Sequence, residues 1–130
     1  MQPNGFQIKI IQFKKLDFEW IEELREGIEI DCVSNTGAVA KKSAQNEYTI
    51  QLNAKLSFKQ EDAEIFYIQL VMVGTVEVGS AFKETLLNNA VVIMQFYLQP
   101  VVDQMITTAK LPQLDLPFID FGEFEVKVEK

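Results

Sequence analysis

The chain contains no histidine. That absence excludes serine–histidine triads and every histidine-ligated zinc site. Cysteine is nearly as scarce: the single Cys32 cannot form an internal disulfide, which fits a reducing compartment. Basic residues are outnumbered, 12 Lys and Arg against 19 Asp and Glu, giving a formal net charge of −7. Nucleic acid is therefore a poor partner, because neutralising phosphates requires clustered Lys and Arg. No apolar run reaches membrane-spanning length; the greasiest, residues 90–98, is short and contains Gln95. Met1 to Gly5 carry neither the basic nor the apolar region of a signal peptide. A cytoplasmic protein without membrane insertion is the expectation.

What is present is an ordinary globular composition, 48% apolar and 24% charged over 130 residues. It predicts a single domain over residues 1–130, one that buries roughly two-thirds of its unfolded surface. Residues 47–58 alternate without a break: Tyr48, Ile50, Leu52, Ala54, Leu56 and Phe58 are apolar and their neighbours polar. That period predicts a long antiparallel strand with one buried and one wet face. A charged turn at residues 59–62 leads into a second strand over residues 63–79, with Phe66, Ile68, Leu70, Met72, Val76 and Val78 in one phase. Its other face also carries Ile65, Tyr67, Val71 and Val73, and Gly74 suggests a bulge or a close approach. Residues 6–13 read as a strand with Phe6, Ile8 and Ile10 in phase, and residues 28–33 as another containing Cys32 as a small hydrophobe. Residues 17–26 read as a short amphipathic helix or an irregular connection, 34–37 as a turn, and 38–46 as a loop or a strand extension. Strands followed by helix give an α+β order with a mainly antiparallel sheet.

The helical part is predicted over residues 88–109. Gln95, Gln99, Asp103 and Thr107 form one narrow polar stripe, and almost every other position is apolar. A helix on one side of a single sheet needs only one apolar face, so the surplus here predicts contact with another subunit. Val92, Phe96, Val101 and Met105 are the candidate interface residues. Pro100 removes a backbone hydrogen bond and clashes with the carbonyl of Phe96, which predicts a kink.

Behind that helix stands Leu111-Pro112-Gln113-Leu114-Asp115-Leu116, followed by Pro117-Phe118-Ile119-Asp120-Phe121. With Leu98-Gln99-Pro100 and Ile106-Thr107 before them, and Phe6-Gln7-Ile8, Phe18-Glu19 and Glu47-Tyr48 earlier, these segments resemble the SecB family of bacterial protein-export chaperones. The resemblance covers almost the whole chain, and only its C-terminal motif is specific. It implies a four-stranded antiparallel sheet, a long kinked helix packed on one side, and a homotetramer built as a dimer of dimers through the long helices. It further implies binding of unfolded polypeptide clients in hydrophobic grooves, no cofactor, and delivery of clients to the SecA translocase motor. Candidate groove residues are Phe66, Tyr67, Met72, Phe96, Phe118, Phe121 and Phe124; aromatic and flexible side chains suit promiscuous apolar recognition. Glu19 matches one acidic motor-contact position, whereas Lys15 and Gln69 stand where the family places acids. Residues 122–130 also depart from the family's tail: Phe124, Val126 and Val128 alternate with charges, as in an extended segment.

Two other readings compete with a general holdase. One is a SecB-like chaperone dedicated to a single client such as an antitoxin; the other is a binding or structural protein that kept only the fold. Enzymatic chemistry has little raw material. Only the carboxylate groups Glu22-Glu23-Glu26 and Glu61-Asp62-Glu64 could act as acid–base pairs or hard-metal ligands, and such clusters at turns are ordinarily solvated charge.

Overall fold

The structure, a computed structural model, describes residues 5–79, 83–108 and 126–129. Strands β1 (Phe6–Trp20), β2 (Asp31–Ala44), β3 (Glu47–Gln60) and β4 (Ala63–Val78) come first. A short 3-10 turn (Glu84–Leu86) leads into α1 (Leu87–Gln95) and α2 (Leu98–Thr108), and β5 (Val126–Glu129) follows. The sheet order is β1-β4-β3-β2-β5. The pairings among the first four strands are all antiparallel, as expected. The fifth is an addition to the expected four-stranded sheet: β5 lies parallel to β2, pairing Ala38 with Val126 and Ala40 with Val128.

The alternation in β3 and β4 builds the sheet's inner face directly. Phe58 faces Phe66, Leu56 faces Ile68, Ala54 faces Leu70, and Leu52 faces Met72, all essentially without solvent exposure. Strand β1 extends this row at the sheet's edge although its apolar residues keep no single phase. It is bulged between Ile8 and Ile10 and again between Phe13 and Lys15, and each extra residue reverses the side-chain alternation. Phe6 and Ile8 point inward, then Ile11 and Phe13, then Phe18, all packed against the core. Ile10, expected in phase with Phe6 and Ile8, is thereby turned outward and is exposed. The same phase changes carry β1 through Trp20, so residues 17–20 are strand and not helix. Residues 34–37, read as a turn, lie inside β2 opposite residues 53–56 of β3; residues 38–44 continue that strand.

The helices pack through Leu87, Ala90, Val91, Met94, Leu98 and Val102, a spacing of three and four that marks one face. Met94 reaches the middle of the sheet over Gly74. A Cβ built on Gly74 would lie 2.7 Å from the Met94 terminal methyl, so Gly74 marks a close approach and not a bulge of its own strand. The kink falls one turn before Pro100. The amides of Phe96 and Tyr97 bond the carbonyls of Ile93 and Met94 at 3.2 and 3.1 Å, tightening α1 into a 3-10 turn before α2 starts. Pro100 then sits in the first turn of α2, where its missing N–H is tolerated. The polar stripe is tied together: Gln99 Nε2 donates to Asp103 Oδ1 at 2.8 Å, and the Thr107 hydroxyl to the Asp103 carbonyl at 2.9 Å. No helix among the described residues is long and apolar enough to cross a membrane.

Candidate functional site

β1 is one edge of the sheet, and open space with apolar lining follows its inner margin. Along the first half of β1, a cavity of about 450 Å³ is lined by Phe6, Ile8, Lys9, Ile11, Ile93 and Tyr97. Along the second half, one of about 330 Å³ lies between Leu16 and Phe18 of β1 and Gln104, Met105 and Thr108 of α2. Where the chain leaves β1, a third of about 360 Å³ is framed by Trp20, Ile21, Glu22, Glu23 and Leu24. Leu16, Trp20, Ile21, Ile93 and Tyr97 are large, apolar and exposed, so these cavities form a surface able to receive apolar side chains.

An aromatic cluster supports that margin from below. Phe66 is fully buried, stacked on Phe58 with centroids 4.4 Å apart and on Phe18 at 5.2 Å. Trp20 meets it edge-on at 5.2 Å. Phe66, a candidate client contact, is therefore the floor beneath Phe18 and Trp20 and presents no surface itself. Met72 is likewise core, fully buried opposite Phe13 and Leu52. Tyr67 belongs to the opposite, outer face. Phe96 is 73% exposed at the helix break, with Val92 beside it on the uncovered side of α1. Val101 and Met105 are half-buried, and Met105 forms a wall of the second cavity. Phe118, Phe121 and Phe124 lie outside the described residues, as does the 111–121 segment.

On the outer face, Glu19 is already engaged. The Tyr67 hydroxyl donates to Glu19 Oε2 at 2.5 Å, and Lys55 Nζ lies 4.8 Å above the Tyr67 ring. That hydrogen bond, followed by desolvation and the neighbouring charges of Glu19, Asp17 and Glu64, raises the Tyr67 pKa. Lys15 pairs with Asp17 at 3.4 Å, and Gln69 stands opposite Asp17 in the strand register. Cys32 is half-buried in β2 opposite Phe58; desolvation pushes its thiol up to about 11, so it is protonated and unreactive at neutral pH. Among the described residues no group of three or more carboxylates or thiols converges as a metal cage, and Glu61 instead bridges to Arg25 at 3.5 Å.

Sequence reasoning missed most of the margin. Trp20, Ile21 and Leu24 fell in a segment read as a helix or connection, and Leu16 was obscured by the second bulge. The available signal was the apolar alternation Leu16, Phe18, Trp20, which resumes out of phase with Ile11 and Phe13.

No protein-family model matches the chain, and no curated protein matches it. Among solved structures it is similar to the SecB-like chaperone Rv1957 of Mycobacterium tuberculosis, in complex with a ChAD peptide from the Rv1956 HigA1 antitoxin. The TM-score is 0.70 with 10% sequence identity, over 88% of this chain and 91% of that one. The likeness is one of fold: this chain has a SecB-like α+β architecture, a sheet followed by a kinked helix.

Proposed function

From a SecB-like fold with an open apolar margin, we propose that the protein is a chaperone that binds unfolded or partly folded polypeptide. The observation that carries this reading is the series of cavities along β1 and its continuation, walled by exposed Leu16, Trp20, Ile21, Ile93 and Tyr97. Each takes an apolar side chain from an extended client while the client's polar backbone stays wet at the surface. Apolar walls with adaptable Met105 read no unique sequence, and binding and release require no bond to be made or broken, hence no catalytic residue or cofactor. The peptide held by the mycobacterial neighbour supports polypeptide as the ligand class.

The uncovered face of α1, with Val92 and Phe96, is assigned to a second copy of the chain, and a tetramer through the long helices is the proposed assembly. Val101 and Met105, proposed for the same contact, are half-buried against the core, and Met105 also walls the second cavity. Phe118, Phe121 and Phe124 remain proposed client contacts on the strength of the family resemblance. Cytoplasmic location belongs to the same proposal. SecA docking has weaker support: Glu19 is bonded to Tyr67, Asp17 is paired with Lys15, and Lys15 and Gln69 stand where the family places acids.

A dedicated client is the second reading, favoured by one observation: the peptide in the neighbour's complex comes from an antitoxin. The purified protein should suppress aggregation of chemically unfolded substrates at a stoichiometric ratio. Suppression across several unrelated substrates supports the general chaperone, suppression of one alone the dedicated form, and suppression of none contradicts both.

A further inference from the structure

The ten-residue connection from β1 to β2 contains no regular secondary structure, yet it carries Ile21, Glu22, Glu23 and Leu24 of the third cavity. It is held by the β3–β4 hairpin at two points. At its start, the amides of Ile21 and Glu22 both bond the carbonyl of Ile65 at 2.8 and 3.1 Å. Ile65 is the extra residue where β4 is bulged against β3, between the Phe58–Phe66 and Lys59–Glu64 pairs, and its carbonyl is taken on the β1 side. At its middle, one side chain does the holding. Gln60, 1% exposed and the only buried polar residue among those described, accepts from the Arg25 amide at 2.8 Å through Oε1. Its Nε2 donates to the carbonyls of Arg25 and Ile28, both at 2.9 Å. Arg25 Nη2 returns a bond to the Gln60 carbonyl at 2.9 Å, and its Nη1 reaches Glu61 at 3.5 Å.

We infer that Gln60 is a positioning residue for client binding: its side-chain amide fixes the connection so that Ile21 and Leu24 stand as a preformed wall beside Trp20. This rests on the polypeptide-binding reading above. A primary amide suits the place because it supplies one acceptor and two donors, and all three are used on backbone groups of the connection. Without it those part-buried groups lose their partners, the arc loosens, and a client must then order the wall as it binds.

The test is Q60M, which keeps the side chain's length while removing all three amide bonds, made in the full chain alongside R25A. R25A removes the guanidinium contacts and leaves the Gln60 amide bonds to the Arg25 and Ile28 backbone in place. Affinity for a labelled unfolded polypeptide is measured well below each variant's melting temperature, together with amide hydrogen exchange. Expected are a folded Q60M whose residues 21–30 lose protection and whose affinity falls by about tenfold, with R25A near wild type, because ordering is added to the cost of binding. A folded Q60M that binds like wild type overturns the positioning role, as does an R25A equally impaired. If Q60M does not fold, Q60E, which keeps the acceptor and loses both donors, is compared in the same way: impaired binding supports the role and wild-type binding overturns it. A wild-type protein that binds no unfolded polypeptide overturns the broader reading and this role with it.

Discussion

Trp20 and Phe66 are direct partners in the β1–β4 register, and their rings meet edge-on with centroids 5.2 Å apart. One is wholly inside and the other 43% exposed, so this pair joins the core to the candidate client surface. Replacing the two should separate stability from binding. Phe66→Ala leaves a hole among Phe18, Phe58 and Trp20 and is expected to destabilise the fold by about 3–5 kcal/mol. Trp20→Ala should cost less stability, about 2 kcal/mol, because part of its side chain is already in water, while weakening client binding. Denaturant melts and a client-binding titration on both variants check this.

Trp20 is the only tryptophan in the chain and lines the third cavity. Its fluorescence should therefore report occupancy directly: saturation with unfolded polypeptide is expected to shift its emission to shorter wavelength as water leaves the indole. Unchanged emission at saturation would place the client elsewhere.

Val92 on α1 and Phe96 just beyond its end are exposed apolar residues, Phe96 the more so. Phe96→Asp puts a charge where the proposed subunit contact has no partner for it, and burial of an unpaired carboxylate is strongly unfavourable. Sedimentation velocity should show a smaller species for Phe96→Asp than for wild type, with unchanged far-ultraviolet circular dichroism.

The β3–β4 turn places two residues with side chains in the left-handed region, Glu61 at φ 51° and Asp62 at φ 68°. Glycine enters that region without a Cβ penalty. Asp62→Gly is expected to raise stability by up to about 1 kcal/mol, and Asp62→Val to lower it by about 1–2 kcal/mol. Thermal denaturation decides.

Cys32 sets a pH dependence of known sign. Its folded pKa, about 11, lies above the ordinary value of 9.0 because burial disfavours the thiolate. The proton is thus held more tightly in the folded state, and the associated stability is complete below pH 9.0 and lost as pH rises toward about 11. Cys32→Ala should flatten the stability profile in that alkaline window, and the native thiol should resist alkylation at neutral pH.

The legible parts of the fold were those whose periodicity is set by one buried face. Tyr48 through Phe58 alternate without interruption, and β3 and β4 follow from that pattern. β1 was legible only in part: a bulge leaves no mark in composition, so Ile10 read as inward although the extra residue at Lys9 turns it out. Ser34, Asn35, Thr36 and Gly37 have turn composition, but pairing with residues 53–56 of β3 holds them extended, a tertiary preference overriding a local one. The surplus apolar surface of the helix was visible from its narrow polar stripe. Gln60 was not, because an amide beside Glu61 and Asp62 looks like any solvated turn until the β1–β2 connection folds over it.

Polypeptide binding by an assembled SecB-like fold is tested most directly by native mass measurement of the purified protein with and without an unfolded polypeptide. An oligomer that gains the client's mass is the expected result. A monomer whose mass is unchanged by the client would contradict both the assembly and the function proposed for it.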